Sequence, residues 1–344
     1  MPTVLESLNK ALHTALESDE RVYILGEDVL DPYGGAFKVT RGLSTAFPHR
    51  TLTTPVSEAG FLGVAAGMAL RGLRPVVEIM FGDFITLIAD QVINHVAKFR
   101  YMYNEQIRVP LVIRAPMGGR RGYGPTHSQT LEKLFMGTPG IHVLAPCTLG
   151  DPGQLLGQAI FDEEDPVLFI ENKLLYSQPV LGDKDLVEFN ITKHNSHPLI
   201  NAELPEGIYA PAYHLTLSGA PNPSVTLAAY GYMADLCRQA VLQLAYQNEI
   251  FTDLVVLTHL SPFEINPIIK SVGLTHRLLV VEEGTYTMGW GAEIIARTVE
   301  SLGPELFAAA RVAGKDVPIP ASGPLEKAVL PDVEDIIQAV KKMV

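Results

Sequence analysis

The segment that offers the most chemistry runs Thr53-Thr54-Pro55-Val56-Ser57-Glu58-Ala59-Gly60-Phe61-Leu62-Gly63. A strand ends there, Pro55 turns the chain, and a helix begins at Ser57 or Glu58. That helix carries Gly60, Gly63 and Gly67 among Ala59, Ala65, Ala66 and Ala69. An interior glycine costs a helix about 1 kcal/mol relative to alanine, so this density implies very close packing against something. Glu58 has two readings. It is either a first-turn acid favoured by the helix dipole, or a carboxylate buried beside an apolar helix, where a shifted pKa suits proton chemistry. Other routes to chemistry are missing. The chain has no Gly-x-x-x-x-Gly-Lys-Ser/Thr phosphate loop, no Gly-x-Ser-x-Gly and no His-Glu-x-x-His. Gly34-Gly35 and Gly118-Gly119 do not join a strand to a helix in dinucleotide-binding fashion.

A carboxylate held this way needs a framework, and the hydrophobic pattern supplies one. Thr3 and Glu6 form a capping-box pattern, and Val4, Leu5, Leu8, Leu12, Ala15 and Leu16 make a helical stripe over residues 3–18. Short apolar runs follow at 22–25, 76–79, 111–113, 142–144 and 167–170, with helical patterns near 57–71, 84–102, 128–136 and 150–161. Strands and helices alternate, and the strands read as buried on both faces. This predicts an α/β fold with a mostly parallel sheet covered by helices. From about 180 to 224 the texture turns polar and proline-rich, and it reads as a linker with little regular structure. The alternation then restarts, with strands at 225–229, 252–257 and 278–282, helices at 232–246, near 264–272 and at 289–301, and a last helix at 332–343. The expected organisation is a first domain over 1–185, a linker over 186–219 and a second domain over 220–344.

Composition bounds the function. A chain of 344 residues exceeds one ordinary core, and 47% hydrophobic with 19% charged residues excludes a disordered polymer. A net charge of -12, from 26 Lys+Arg against 38 Asp+Glu, argues against nucleic acid as the partner. Two cysteines, Cys147 and Cys237, make neither a metal-type spacing nor a disulfide framework, so a reducing compartment is expected. No apolar run approaches the roughly 18 residues of a membrane span, and no signal-like start is seen. The expectation is a cytoplasmic, two-domain protein without a membrane partner.

The wider motif set is more specific. Gly26-Glu27-Asp28-Val29, the run Gly34 to Leu43, and Thr54-Pro55-Val56-Ser57-Glu58 resemble the β subunit of thiamine-diphosphate-dependent 2-oxoacid dehydrogenases, the E1 component. The resemblance continues through Gly72 to Glu78, Asp90 to Asn94, Thr126-His127-Ser128-Gln129, Glu171 to Tyr176, Gly289-Trp290-Gly291-Ala292-Glu293 and Asp316 to Pro320. These motifs recur in order over nearly the whole chain. The resemblance implies a pyrimidine-binding domain followed by a transketolase C-terminal-like domain.

It also implies roles. Glu58 matches the glutamate that hydrogen-bonds N1′ of the cofactor's aminopyrimidine and favours the imino tautomer, whose 4′-nitrogen takes a proton from C2 of the thiazolium. Met80 and Phe84 fall where the family places apolar contacts to that ring. His127 matches the active-site histidine of the loop Gly118 to His127, a mobile wall whose arginines would meet a carboxylate substrate. Several relatives hold a structural potassium ion on backbone carbonyls, and the matching residues are Leu111, Ala159, Ile160 and Asp162. Here the run from Asp162 to Pro166 is one residue longer than the commoner pattern.

One expected motif is absent. Such enzymes hold Mg2+ and the diphosphate with Gly-Asp-Gly and a downstream Asn. No Gly-Asp-Gly occurs here; Gly82-Asp83-Phe84 and Gly182-Asp183-Lys184 are the nearest and lack the context. The resemblance therefore implies half a site, completed by a separate α subunit in an α2β2 assembly, with acyl transfer to the lipoyl group of an E2 acyltransferase. The sequence does not separate pyruvate, branched-chain oxoacids and acetoin. An acetoin dehydrogenase β subunit, a transketolase-like group transferase and a non-catalytic β-like scaffold remain as alternatives.

Overall fold

The Glu6 amide donates to Thr3 Oγ1, and the Thr3 amide donates to the Glu6 carboxylate. This closes the predicted capping box in front of α1 (Val4–Ser18), whose stripe Val4, Leu8, Leu12, Ala15 and Leu16 is buried. The computed structural model describes residues 1–195 and 209–344. The chain divides into two units: Met1–Gly118 with Leu134–Val180, and Gly119–Lys133 with Leu181–Val344.

In the first unit the strands are β1 (Val22–Gly26), β2 (Thr51–Thr53), β3 (Arg74–Glu78), β4 (Val112–Met117), β5 (His142–Leu144) and β6 (Val167–Asn172). They lie in the order β5-β6-β4-β3-β1-β2, and every pair among them is parallel. The helices are α1, the short α2 (Leu43–Ala46), α3 (Glu58–Leu70), α4 (Ala97–Met102) and α5 (Pro152–Phe161). Strands such as β4 are buried along their length, as near-continuous apolar runs in a covered parallel sheet require. The helical pattern at 84–102 is built from a 3-10 segment (Gly82–Ile88), a π-turn (Gln91–Val96) and α4 rather than one helix.

The second unit contains β7 (Phe189–Asn195), β8 (Pro211–Leu217), β9 (Val225–Ala229), β10 (Thr252–Val256), the short β11 (His259–Ser261), β12 (Arg277–Thr285) and β13 (Ala308–Gly314). One sheet has the order β13-β12-β9-β10-β8-β7. It is parallel through β10 and antiparallel at β8 and β7. Its helices are α6 (Met233–Asn248), α7 (Asn266–Thr275), α8 (Trp290–Leu302), α9 (Gly323–Lys327) and α10 (Val333–Lys341).

Two sequence expectations need correction. The stretch 186–219, read as a linker, supplies β7 and β8. These strands bury Phe189, Ala212 and Leu215 but leave residues such as Asn190, Lys193 and Thr192 toward solvent, so they carry the polar texture of a loop. The linker residues 196–208, with Pro198 and Pro205, lie outside the described residues. The helix expected at 128–136 is reduced to one 3-10 turn, Glu132–Leu134, because Glu132 and Lys133 are engaged by tertiary hydrogen bonds to Tyr230 and Thr285. Among the described residues no helix is long and apolar enough to cross a membrane.

Candidate active site

In an open parallel sheet, ligands bind beyond the carboxyl ends of the strands. β1 ends in Gly26, where a Cβ would stand 2.8 Å from the Glu78 carbonyl oxygen, so only glycine fits. Glu27 follows and is buried. Beyond β2 the chain turns through Pro55 into α3, whose first residue is Glu58, buried at 5% exposure. Ser57, the N-cap, makes no side-chain capping bond, so Glu58 is the acid of this helix start. Burial raises the Glu27 pKa, and repulsion from Glu58 and then Asp28 raises it further, while a hydrogen bond from the Ser57 backbone opposes them. Glu27 Oε1 is buried without a hydrogen-bond partner among the described residues. Two like carboxylates thus sit together at the ends of adjacent strands.

β3 leads to the other predicted contacts. Met80 and Phe84 are both half-buried, Phe84 within the 3-10 segment that packs on α3. The Phe81 and Phe84 rings meet edge-on with centroids 5.9 Å apart. Phe81 also meets Phe37, and Phe37 meets Tyr176, each at 5.5 Å. Gly82 permits the turn, since a Cβ there would stand 2.2 Å from Met117 Cγ.

Beneath these rings lies a group of charges to which the sequence analysis assigns no role. Arg114 on β4 is fully buried. It donates to both Glu171 oxygens, each at 2.7 Å, and to Glu78 at 2.6 Å, while the Tyr176 hydroxyl donates to Glu171 at 2.6 Å. Burial opposes the guanidinium charge, but the carboxylates outweigh it and raise the Arg114 pKa. The available signal was one charge inside each of three apolar runs, Val76-Val77-Glu78, Val112-Ile113-Arg114 and Phe169-Ile170-Glu171, with Glu78 and Arg114 paired in register.

The residues expected around potassium lie just before β4 and at the end of α5. The Leu111 carbonyl accepts from the Val167 amide at 2.8 Å in the sheet. The Ile160 carbonyl, in the last turn of α5, accepts from Arg74 Nη1 at 2.6 Å, and the same nitrogen donates to the Glu163 carbonyl at 3.1 Å. Ala159 is buried within α5, and Asp162 is its exposed C-cap. A potassium ion on Ile160 would share that oxygen with the Arg74 guanidinium.

His127 belongs to the second unit, in the segment Gly119–Lys133. It is half-buried, with Nδ1 3.0 Å from Thr126 Oγ1. The Gly119 amide donates to Glu283 at 2.7 Å, and the Arg120 and Gly122 amides donate to the two oxygens of Glu326 at 2.7 and 3.1 Å. Arg120 holds Glu283 at 2.6 Å and the Pro331 carbonyl. The expectation that both loop arginines meet a substrate carboxylate is therefore corrected for Arg120, whose guanidinium is committed within its own unit. Arg121 is exposed, with its guanidinium 5.9 Å from the Tyr123 ring centroid. Glu58, Met80 and Phe84 thus share one unit, and His127 is held in the other.

Comparison with known proteins follows the same division. The transketolase pyrimidine-binding domain family matches residues 1–179, and the transketolase C-terminal domain family matches residues 217–336. Over 99% of this chain, the pyruvate dehydrogenase E1 component subunit beta-2 of Oryza sativa subsp. japonica is 38% identical, with 85% of its own length covered. Pyruvate dehydrogenase E1 subunits beta from Rickettsia bellii and Drosophila melanogaster are 36% and 37% identical over 99% of this chain, with 98% and 88% of their lengths covered. Among solved structures, a split-gene transketolase described as an inactive beta4 tetramer superposes with a TM-score of 0.73 at 20% identity, covering 100% of this chain and 98% of the other.

Proposed function

The chain belongs to the family of pyruvate dehydrogenase E1 β subunits, and from that premise we propose that it holds the aminopyrimidine half of thiamine diphosphate. Glu58 gives the ring a buried carboxyl for a nitrogen, and half-buried Phe84 and Met80 give it an aromatic and a thioether face, so the residues fit the group. When bound, thiamine diphosphate supplies the electron sink for loss of CO2 from a 2-oxoacid. Glu58 orients the ring and holds a proton at its nitrogen. Glu27, raised by burial and by Glu58, keeps a proton within the acid pair at pH values where exposed carboxyls have lost theirs. Phe84 and its aromatic neighbours exclude water from that proton. His127 transfers a proton during decarboxylation or acyl transfer. The substrate is a 2-oxoacid such as pyruvate, and the acyl group passes to the lipoyl group of an E2 acyltransferase in the cytoplasm. Potassium has no part in this proposal.

The observation that carries the half-site reading is α3. It is apolar on all sides, yet Gly60, Gly63, Val64 and Gly67 are exposed. A Cβ on Gly63 or Gly67 would meet nothing within 4 Å, so this chain's own packing does not require glycine there. The face fits a second chain approaching its backbone, and the E1 α subunit, bringing the Mg2+ and diphosphate ligands missing here, is the partner we assign in an α2β2 heterotetramer. The test mixes this chain with its α subunit, thiamine diphosphate, Mg2+ and a panel of 2-oxoacids and acetoin, reading dye reduction. Activity requiring both chains and abolished in Glu58→Gln is expected. Full turnover by the variant, or by this chain alone, overturns the proposal.

A further inference from the structure

The segment that carries His127 has two ends, and the second unit holds each by different chemistry. At the Gly119 end, Glu283 and Glu326 accept from backbone amides and from Arg120, so both acids are matched by donors. At the Lys133 end, Lys133 Nζ donates to Thr285 Oγ1 at 2.5 Å and to the Thr287 carbonyl at 2.7 Å. Its neighbour Glu132 is fully buried and accepts from the Tyr230 hydroxyl at 2.5 Å. The other Glu132 oxygen, Oε2, is buried without a partner among the described residues.

Glu282 on β12, also fully buried, faces Glu132 closely enough for the two charges to repel. Its Oε1 accepts from the Gly291 amide at 3.1 Å at the start of α8, and its Oε2 has no partner among the described residues. The glycines of Gly289-Trp290-Gly291 leave room for this carboxylate: a Cβ at Gly289 would stand 2.5 Å from both of its oxygens, and one at Gly291 would stand 2.9 Å from Oε1. The groups around the pair are Tyr230, Glu283, Lys133 and Arg311. Among the described residues only Tyr230 donates a side-chain hydrogen bond to either acid. Two buried acids, each with an unsatisfied oxygen, have Lys133 and Arg311 in range but, among the described residues, no cation hydrogen-bonded to them as Arg114 is to its acids.

We propose that Glu132 and Glu282 are positioning residues for His127, and that the Lys133 end of its segment stays closed while this pair of acids holds a proton. The inference rests on the role proposed for His127. Burial, and then repulsion from Glu132, push the Glu282 carboxyl up to about 7 from an ordinary 4.5, and opening the segment removes the part that Glu132 contributes. The closed form therefore binds more protons between those values. Closure weakens as pH rises through that window and levels off above about 7. One proton at about 7 makes closure weaker at pH 8 than at pH 6, by up to about tenfold.

The experiment is hydrogen exchange of residues 119–133 in the full chain between pH 5 and 8, corrected for the intrinsic rate. Wild-type protection is expected to fall from pH 6 to pH 8, by up to about tenfold. Glu282→Gln, whose amide oxygen still accepts from Gly291, should make the profile flat and protect the segment better at pH 8. Glu132→Gln keeps an acceptor for Tyr230 and should flatten it likewise. Tyr230→Phe should lower protection at every pH without changing the slope, which separates an anchor from a titrating group. A flat wild-type profile, or an unaltered slope in both glutamine variants, overturns the proposal. His127→Ala keeps the two claims apart, because it should retain the wild-type exchange slope while abolishing lipoyl acylation. Normal acylation in that variant would remove the catalytic role and leave the exchange result standing.

Discussion

Within the first unit, two sets of buried charge lie near the carboxyl ends of neighbouring strands, and they are built on opposite rules. Arg114, Glu78, Glu171 and Tyr176 form a matched set in which guanidinium hydrogen bonds satisfy the carboxylates. Glu27 and Glu58 form an unmatched set of like sign, with a Glu27 oxygen left over. A matched set fixes geometry because any one member, left alone, is a buried charge without compensation. Burial raises Glu78 in the matched set too, but there Arg114 opposes the rise, whereas at Glu27 the neighbouring acids Glu58 and Asp28 add to it. The matched set joins the aromatic cluster through Tyr176, whose ring meets Phe37. The proposed function assigns the proton work to the unmatched set.

The largest expected effect tests the unmatched set. Glu58→Gln should lower cofactor-dependent decarboxylation by about 10²–10⁴-fold, the usual range for a general acid or base, with the far-ultraviolet circular dichroism unchanged. Breaking the matched set should act on the fold instead. Arg114→Met leaves Glu78 and Glu171 unpaired, and chemical denaturation should show a loss of about 3–5 kcal/mol. A neutral Arg114→Met would remove the contrast between the two sets.

A smaller effect separates this chain's stability from its assembly. Gly63→Ala and Gly67→Ala should each stabilise the isolated chain by up to about 1 kcal/mol, since the new methyl meets nothing and helix propensity rises. The same variants should weaken association with the α subunit in sedimentation experiments. The finest comparison is in pH. The Glu27 pKa is raised in the fold, so its share of stability is present below the ordinary value of 4.5 and declines as pH rises above it. Glu27→Gln should flatten that part of the melting-temperature profile measured from pH 4 upward, whereas a profile identical to wild type would show that Glu27 is not raised.

Much of the fold was legible in the sequence. The capping box at Thr3 and Glu6, the buried runs that became β1, β3, β4, β5 and β6, and the proline turn into α3 all rest on local rules of hydrogen bonding and periodicity. What misled was texture. β7 and β8 are polar where they face solvent, and the 128–136 pattern is helical in periodicity but tied down by tertiary bonds. Glu58 stood out because glycine density and a proline turn mark its helix locally. Glu27 did not, because nothing in Gly26-Glu27-Asp28 distinguishes a buried acid from an exposed turn.

The sequence by itself determined the alternation of strands and helices, the glycine helix with its leading acid, and the missing diphosphate motif, because each is written in neighbouring residues. Only the tertiary structure decided which charges are matched. Arg114 meets Glu78 from 36 residues away and Glu171 from 57, Arg120 meets Glu283 from 163, and Tyr230 meets Glu132 from 98. Whether a buried acid is neutralised or left to hold a proton depends on those partners. Burial and pairing are properties of the assembled core, set by strand register and loop placement rather than by any local run of residues.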